Sequence, residues 1–420
     1  MKILGSIYLK GDKSIAHRAI MLASICNGNS IIKNIPQSKD ILSTINALRS
    51  CGIKINNKNE QILLSGNTFR VPNTEIECGN SGTTMRLMVG LLAHKKIRCK
   101  LIGDSSLSSR PMDRIINPLF KLGIHIKSHG IYPPLEIHNF GIQLADRITI
   151  SVPSAQVKSS LIFSCLGCDI KTRISEKAPT RDHLELMINS INSEALDYQN
   201  NEITVHPTNK KNWKGFEIIL PGDISSASYF IAAATLLPGS KLVINDVLLN
   251  KRRMGFIDSL INMGGDIIIS NEEYRHNERI GNITIKGVQQ LRALDIPSYE
   301  IPGMIDEIPI LALMCSYANG ISNIFGLGEL RHKESDRLSG IVSILNSMGV
   351  EISECGDRIS IKGNNKLYNT NKLNNYNDHR LAMMISIAQL VSGNDIEYPE
   401  CINISFPDFK KLLNKVINYQ

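Results

Sequence analysis

The sequence predicts an α/β protein of two domains, built from six repeated β/α modules of about 70 residues each. Three observations carry that expectation. At 420 residues the chain is too long for one ordinary hydrophobic core. A helix-opening phrase, Gly11-Asp12-Lys13-Ser14, returns half a chain later as Gly222-Asp223-Ile224-Ser225. Finally, an amphipathic helix end, a glycine and an alternating strand recur at Gly52, Gly123, Gly264 and Gly349.

The glycines set the module length. Gly52 to Gly123 is 71 residues, Gly123 to Gly264 is 141, or two such steps, and Gly264 to Gly349 is 85, which implies an insertion. The skipped step falls near Ser193, where a helix over Leu184–Ile191 ends without glycine. One more step reaches a final helix over Phe409–Ile417. The last module has no strand after its helix, whereas the strand over Lys2–Leu9 precedes no module. The N-terminal strand is therefore expected to complete the last module. That gives a discontinuous domain of residues 1–12 plus 223–420 and a continuous one of residues 13–222. The chain then crosses between domains near Gly11 and Gly222, and a small-molecule site is expected in the cleft.

In chain order, the helix starts hold the candidate chemistry. Lys13, Ser14 and Arg18 surround a helix N-terminus whose free amides suit a phosphate or carboxylate. The copy at Gly222 keeps the capping Asp223 and lacks both cations, so the scaffold is duplicated without its charges. Glu77–Arg86, with Gly79, Asn80 and Gly82, is either a second anion-accepting turn or a plain helix start. The polar loop Gly103–Met112 ends in Arg110-Pro111 and alone indicates only surface. Ser154-Ala155-Gln156 opens another helix, with Gln156 either bonded to a hydroxylated ligand or solvated. That helix runs toward Cys165-Leu166-Gly167-Cys168, which lacks the second pair a zinc site needs.

Further on, Arg181 stands at a helix start with Asp182 and His183. Asp306 precedes an apolar helix, as a cap or, facing a cleft, as a base. Lys333 and Arg337 stand at i,i+4 with Glu334 between them. One helical face is expected to present two cations and a carboxylate, to solvent or to a ligand. His379 and Arg380 sit at the mouth of the next apolar helix.

The formal net charge of +8 fits general basicity or a cleft that collects anions. Aromatics are only 5% and the cations are dispersed, which argues against nucleic acid. Nine scattered cysteines, no signal-like N-terminus and apolar runs too short for a membrane span lead to the expectation of a cytoplasmic protein.

Together the phrases Gly-Asp-Lys-Ser-x-x-x-Arg, Gly-Asn-x-Gly-Thr-x-x-Arg, Arg-Pro, Ser-Ala-Gln, Asp-Glu-x-Pro, Arg-x-Lys-Glu-Ser-Asp-Arg, Asn-Asp-His-Arg and Ser405–Phe409 occur in one order. Over nearly the whole chain that order resembles the 5-enolpyruvylshikimate-3-phosphate synthase family. The resemblance implies a two-domain inside-out α/β barrel. It implies transfer of the enolpyruvyl group of phosphoenolpyruvate to the 5-hydroxyl of shikimate 3-phosphate, with phosphate released. By matching motif positions, Lys13, Ser14, Arg18, Ser154, Ala155, Gln156, Arg181, Asp306 and Lys333 would bind shikimate 3-phosphate. Lys13, Asn80, Gly82, Arg110, Gln156, Arg337, His379 and Arg380 would bind phosphoenolpyruvate, where glyphosate competes in sensitive members. Asp306 would be the base, and Glu334 and Lys13 would handle the methylene proton. No metal or organic cofactor is implied, nor a nucleic-acid or membrane partner, and a monomer is expected.

The chain departs from some members at Leu87, where they carry Pro, and at Ile404, where they carry Lys. Ala155 and Arg181 match the branch using Ser-Ala-Gln and Arg. A related transferase acting on UDP-N-acetylglucosamine usually carries Lys-Asn at the first turn and a loop cysteine. Here Ser14 follows Lys13 and the Gly103–Pro111 loop has no cysteine. A non-catalytic anion- or RNA-binding module is opposed by Asp306 and Glu334, since a pure anion binder gains nothing from carboxylates.

Overall fold

Each module is organised around a helix that is apolar on every side, and such a helix has to be buried. In the computed structural model, which describes residues 1–199, 201–208, 212–363, 367–368, 370 and 372–419, there are six of these. They are α1 (Lys13–Ile25), α2 (Gly82–His94), α3 (Ala155–Cys165), α4 (Ile224–Leu236), α5 (Ile308–Ser316) and α6 (His379–Val391). Every residue of α1 from Ile15 onward is buried, as is α6 from His379 to Leu390. The second helix of each module is amphipathic instead. In Lys39–Ser50 the buried positions are Ile41, Thr44, Ile45, Ala47 and Leu48, spaced to form one stripe.

The chain divides into two compact units: Lys13–Leu220 with His276–Glu278, and a split unit of Met1–Asp12, Pro221–Arg275 and Arg279–Gln420. The first contains α1 to α3 and the second α4 to α6. Five sheets share one order, in which a first strand runs parallel to the second, the fourth is antiparallel to the second, and the third hairpins onto the fourth. In one, Ile76–Glu77 pairs with Cys99–Ile102, then Tyr132–Phe140, then Ile124–His129. Tyr132–Phe140 alternates exposed and buried residues along much of its length, as expected for a sheet with one face on helices. Among the described residues the sixth module contributes no sheet of its own.

The N-terminal strand corrects the sequence expectation. Lys2–Tyr8 runs parallel to Lys241–Leu248, from Leu4 opposite Lys241 to Tyr8 opposite Asn245, so it completes the fourth module. The last module adds only Ile417–Asn418, antiparallel on the other edge. The reason is α4, which packs on both Lys2–Tyr8 and Lys241–Leu248 and covers the parallel pair. The Lys13–Leu220 unit closes the same way, because its late strand Glu217–Ile219 pairs in parallel with Asn29–Lys33.

The repeated glycines end helices as predicted. Gly52, Gly123, Gly264 and Gly349 have φ of +86°, +78°, +96° and +83°, the left-handed region that glycine enters freely. Gly90 has a different task. A Cβ there would lie 2.1 Å from the Ser160 carbonyl oxygen, so its absence lets α2 and α3 touch backbone to backbone. No described helix is long and apolar enough to cross a membrane.

Candidate functional site

In the Lys13–Leu220 unit the starts of α1, α2 and α3 are tied together by side chains. Ser81 caps α2 by accepting from the Thr84 amide at 3.1 Å, and Ser154 caps α3 by accepting from Val157 at 3.4 Å. Arg18 is buried and joins α1 to α3. It donates to Ser159 Oγ at 2.9 Å, to the Ser14 carbonyl at 2.9 Å and to the Ala155 carbonyl at 3.1 Å. Arg181 donates to Ser14 Oγ at 3.3 Å. Gln156 joins α3 to α2, donating to Thr83 Oγ1 at 2.8 Å and accepting from Arg86 at 2.8 Å. Arg110 donates to Asn80 Oδ1 at 3.0 Å. Lys13 Nζ lies 2.7 Å from Asp40.

Gly82 sits where two of these cations converge, since a methyl there would be 3.1 Å from an Arg86 nitrogen and 3.4 Å from an Arg110 nitrogen. The structure thus gathers Lys13, Ser14, Arg18, Asn80, Gly82, Arg110, Ser154, Ala155, Gln156 and Arg181 in one unit. Three helix N-termini add their partial positive charge to those of the basic side chains, an arrangement suited to phosphate and carboxylate groups.

The other predicted residues gather in the split unit around Arg337, which is buried. Its Nε donates to Asp378 at 2.7 Å, it pairs with Glu334, and Asp306 lies 3.6 Å away. Burial alone would lower its pKa, but Asp378, Glu334 and Asp306 outweigh that and hold it above the ordinary arginine value. Asp378 also faces a burial cost, and Arg337 overrides it to keep the carboxyl below its usual range. Asp378 caps α6 through the Arg380 amide at 2.8 Å, which fixes His379 and Arg380 at the helix mouth. Burial opposes the charge on Arg380, and Tyr229, Asp306, Glu307 and Asp223 more than offset it.

Two readings change here. Lys333, Glu334 and Arg337 do not share a helical face. The helix begins at Arg337, because Asp336 accepts from the Ser339 amide at 3.1 Å and caps it, while Lys333 is extended with φ −88° and ψ −156°. Glu334 reaches Arg337 from outside the helix. Nor is Asp306 the cap of α5, since that position is Glu307. Glu307 is buried, accepts from Ser225 and lies 3.9 Å from Arg253, whose other nitrogen is 3.1 Å from Asp12.

Arg86, Arg253 and Asp378 are among the polar residues to which the sequence assigned no role. Arg86 had a signal, standing one helical turn after Gly82. Arg253 did not, because Lys251-Arg252-Arg253 resembles an ordinary surface run. Among the described residues no group of three or more His, Cys, Asp or Glu side chains could hold a metal ion.

Cations at the helix starts of one unit and carboxylates around Arg337 in the other are a combination suited to the chemistry of phosphorylated, carboxylated small molecules. The family model of EPSP synthase (3-phosphoshikimate 1-carboxyvinyltransferase) matches residues 1–413. A 3-phosphoshikimate 1-carboxyvinyltransferase of Thermoanaerobacter sp. (strain X514) is 41% identical over 413 residues, covering 97% of this chain and 96% of the relative. Another, from Oenococcus oeni, is 40% identical over 427 residues, with 99% and 96% covered. A solved EPSP synthase from Acinetobacter baumannii superposes with a TM-score of 0.84 at 33% identity, covering 99% of this chain and 96% of that one. The enolpyruvyl transferase NikO from Streptomyces tendae, with a TM-score of 0.76 at 13% identity, shares the fold. The chain belongs to the EPSP synthase family, and its fold is that family's inside-out α/β barrel.

Proposed function

We infer that this chain carries out the family reaction, moving the enolpyruvyl group of phosphoenolpyruvate onto the 5-hydroxyl of shikimate 3-phosphate, with phosphate released. The observation that carries the mechanism is the placement of Asp306, a carboxylate 3.6 Å from the buried Arg337 guanidinium and beside Arg380. A base is thereby set among the cations that would hold the group under attack.

Lys13, Ser14, Arg18, Ser154, Ala155, Gln156 and Arg181 bind shikimate 3-phosphate. Asn80, Gly82, Arg110, Arg337, His379 and Arg380 bind phosphoenolpyruvate, with Lys13 and Gln156 shared. Two anions must be brought into contact, so charge-assisted bonds offset their repulsion. Asp306 takes the 5-hydroxyl proton as that oxygen bonds to C2 of phosphoenolpyruvate. Glu334 or Lys13 delivers a proton to the C3 methylene, giving a tetrahedral intermediate. Lys333 stabilises its charge. Loss of phosphate from C2 and of a C3 proton restores the double bond. The reaction needs no cofactor chemistry, because the enol phosphate is already activated.

The two residue sets serve one pair of substrates. A cytoplasmic monomer completes the reading. Phosphate release from phosphoenolpyruvate tests it. Release should require shikimate 3-phosphate and fail with UDP-N-acetylglucosamine; release with the sugar nucleotide, or with neither acceptor, contradicts it.

A further inference from the structure

Lys158 has no solvent exposure, although a lysine ammonium is normally kept in water. It lies on α3, one turn beyond Ser154. Its Nζ is 3.0 Å from Glu176 Oε2 and 2.8 Å from Glu185 Oε1, and it donates to the Thr180 carbonyl at 3.1 Å. The partners come from three places. Glu176 ends the strand Thr172–Glu176, Glu185 lies in the helix His183–Ile191, and Thr180 belongs to the segment joining them. The Thr180 hydroxyl donates to the other oxygen of Glu176. Thr180 is therefore held twice, by its carbonyl on the ammonium and by its hydroxyl on the carboxylate. The next residue, Arg181, reaches Ser14 Oγ at 3.3 Å.

A buried ammonium with two carboxylates is a poor source of stability, because desolvation consumes most of the Coulombic gain. What the cluster does supply is position. It locks the turn that carries Arg181 to the same helix that carries Ser154, Ala155 and Gln156. We propose that Lys158, Glu176 and Thr180 are positioning residues for shikimate 3-phosphate, fixing the Arg181 guanidinium relative to the starts of α1 and α3. The proposal rests on the reading that Arg181 binds that substrate. None of the three touches the ligand, and each acts through Arg181.

Calorimetry of shikimate 3-phosphate binding, with steady-state kinetics, on Thr180→Val, Thr180→Ser, Arg181→Ala and the Thr180→Val/Arg181→Ala pair tests this. Thr180→Val keeps the shape and removes the hydroxyl bond to a charged group. It should weaken shikimate 3-phosphate binding by about tenfold. The kcat and the phosphoenolpyruvate KM should stay within about twofold. Thr180→Ser should restore binding, and Thr180→Val should add nothing once Arg181 is alanine. Normal binding by Thr180→Val beside weakened Arg181→Ala, or losses that add in the pair, overturns the positioning role. Normal binding by Arg181→Ala overturns the reading of Arg181 and this inference with it.

Discussion

Asp306 is proposed as the base from its motif position, and its neighbours Arg337 and Arg380 support that role. Asp306→Asn keeps the shape and can still meet a hydroxyl, but it cannot accept the proton. It should bind shikimate 3-phosphate normally and lose about 10²–10⁴ in kcat. Near-normal turnover with intact binding removes Asp306 from the base role. Gly82 is tested by size. Its added methyl would meet Arg86 at 3.1 Å, Arg110 at 3.4 Å and Leu107 at 3.7 Å, an overpacking of about 1–3 kcal/mol against a tightly held ligand. Glyphosate is longer than phosphoenolpyruvate and should suffer more, so Gly82→Ala should resist it with a smaller rise in the phosphoenolpyruvate KM. Equal inhibition of both proteins shows that Gly82 does not line that pocket. Asp378 supplies a pH signature. Its folded-state pKa is depressed, so its stabilisation is present above the ordinary value of about 4 and is lost as pH falls through the lower folded value. Asp378→Asn should therefore be less stable at neutral pH and show a flatter acid limb; an unchanged acid limb in urea titrations contradicts this.

At the scale of elements, the glycines were the most legible signal, because a left-handed helix end leaves few alternatives to glycine. Gly52, Gly123, Gly264 and Gly349 all adopt it. Gly90 was not legible as a contact, since a glycine inside an apolar run shows nothing of what approaches it. Gly90→Ala places a Cβ 2.1 Å from the Ser160 oxygen and must push α2 from α3. A destabilisation of about 1–3 kcal/mol is expected in denaturant titrations, and an unchanged midpoint means the helices separate freely. Strand partners were hidden for another reason. The apolar residues of Lys2–Tyr8 mark a strand but do not show that Lys241–Leu248 lies alongside. Charged residues misled in the same way: Arg253 and Lys158 are wholly buried, and a sequence shows Lys or Arg without the carboxylates that make burial tolerable. The Lys333–Arg337 spacing suggested one helical face until the Asp336 cap started the helix at Arg337.

Over the whole molecule, both units close on themselves by the same device, a first strand drawn from a distant part of the chain. Each then gathers cations at the starts of its buried helices, though only the Lys13–Leu220 unit follows the duplicated phrase with Lys13 and Arg18. The site residues were legible as motifs in order, and the expected division at residues 13–222 already sorts them into two sets; the bonds within each set needed coordinates, because sequence order does not show which side chains meet. The formal charge of +8 fits substrates that are both anions. The central claim is that these two sets act on one pair of substrates to form a new carbon–oxygen bond. Proton and phosphorus magnetic resonance of phosphoenolpyruvate and shikimate 3-phosphate incubated with the protein tests this directly. The account predicts an enolpyruvyl ether on the 5-oxygen, with its own vinyl protons, appearing in equal amount with inorganic phosphate and abolished in Asp306→Asn. Phosphate without the ether, or an ether formed at the same rate by Asp306→Asn, would contradict it.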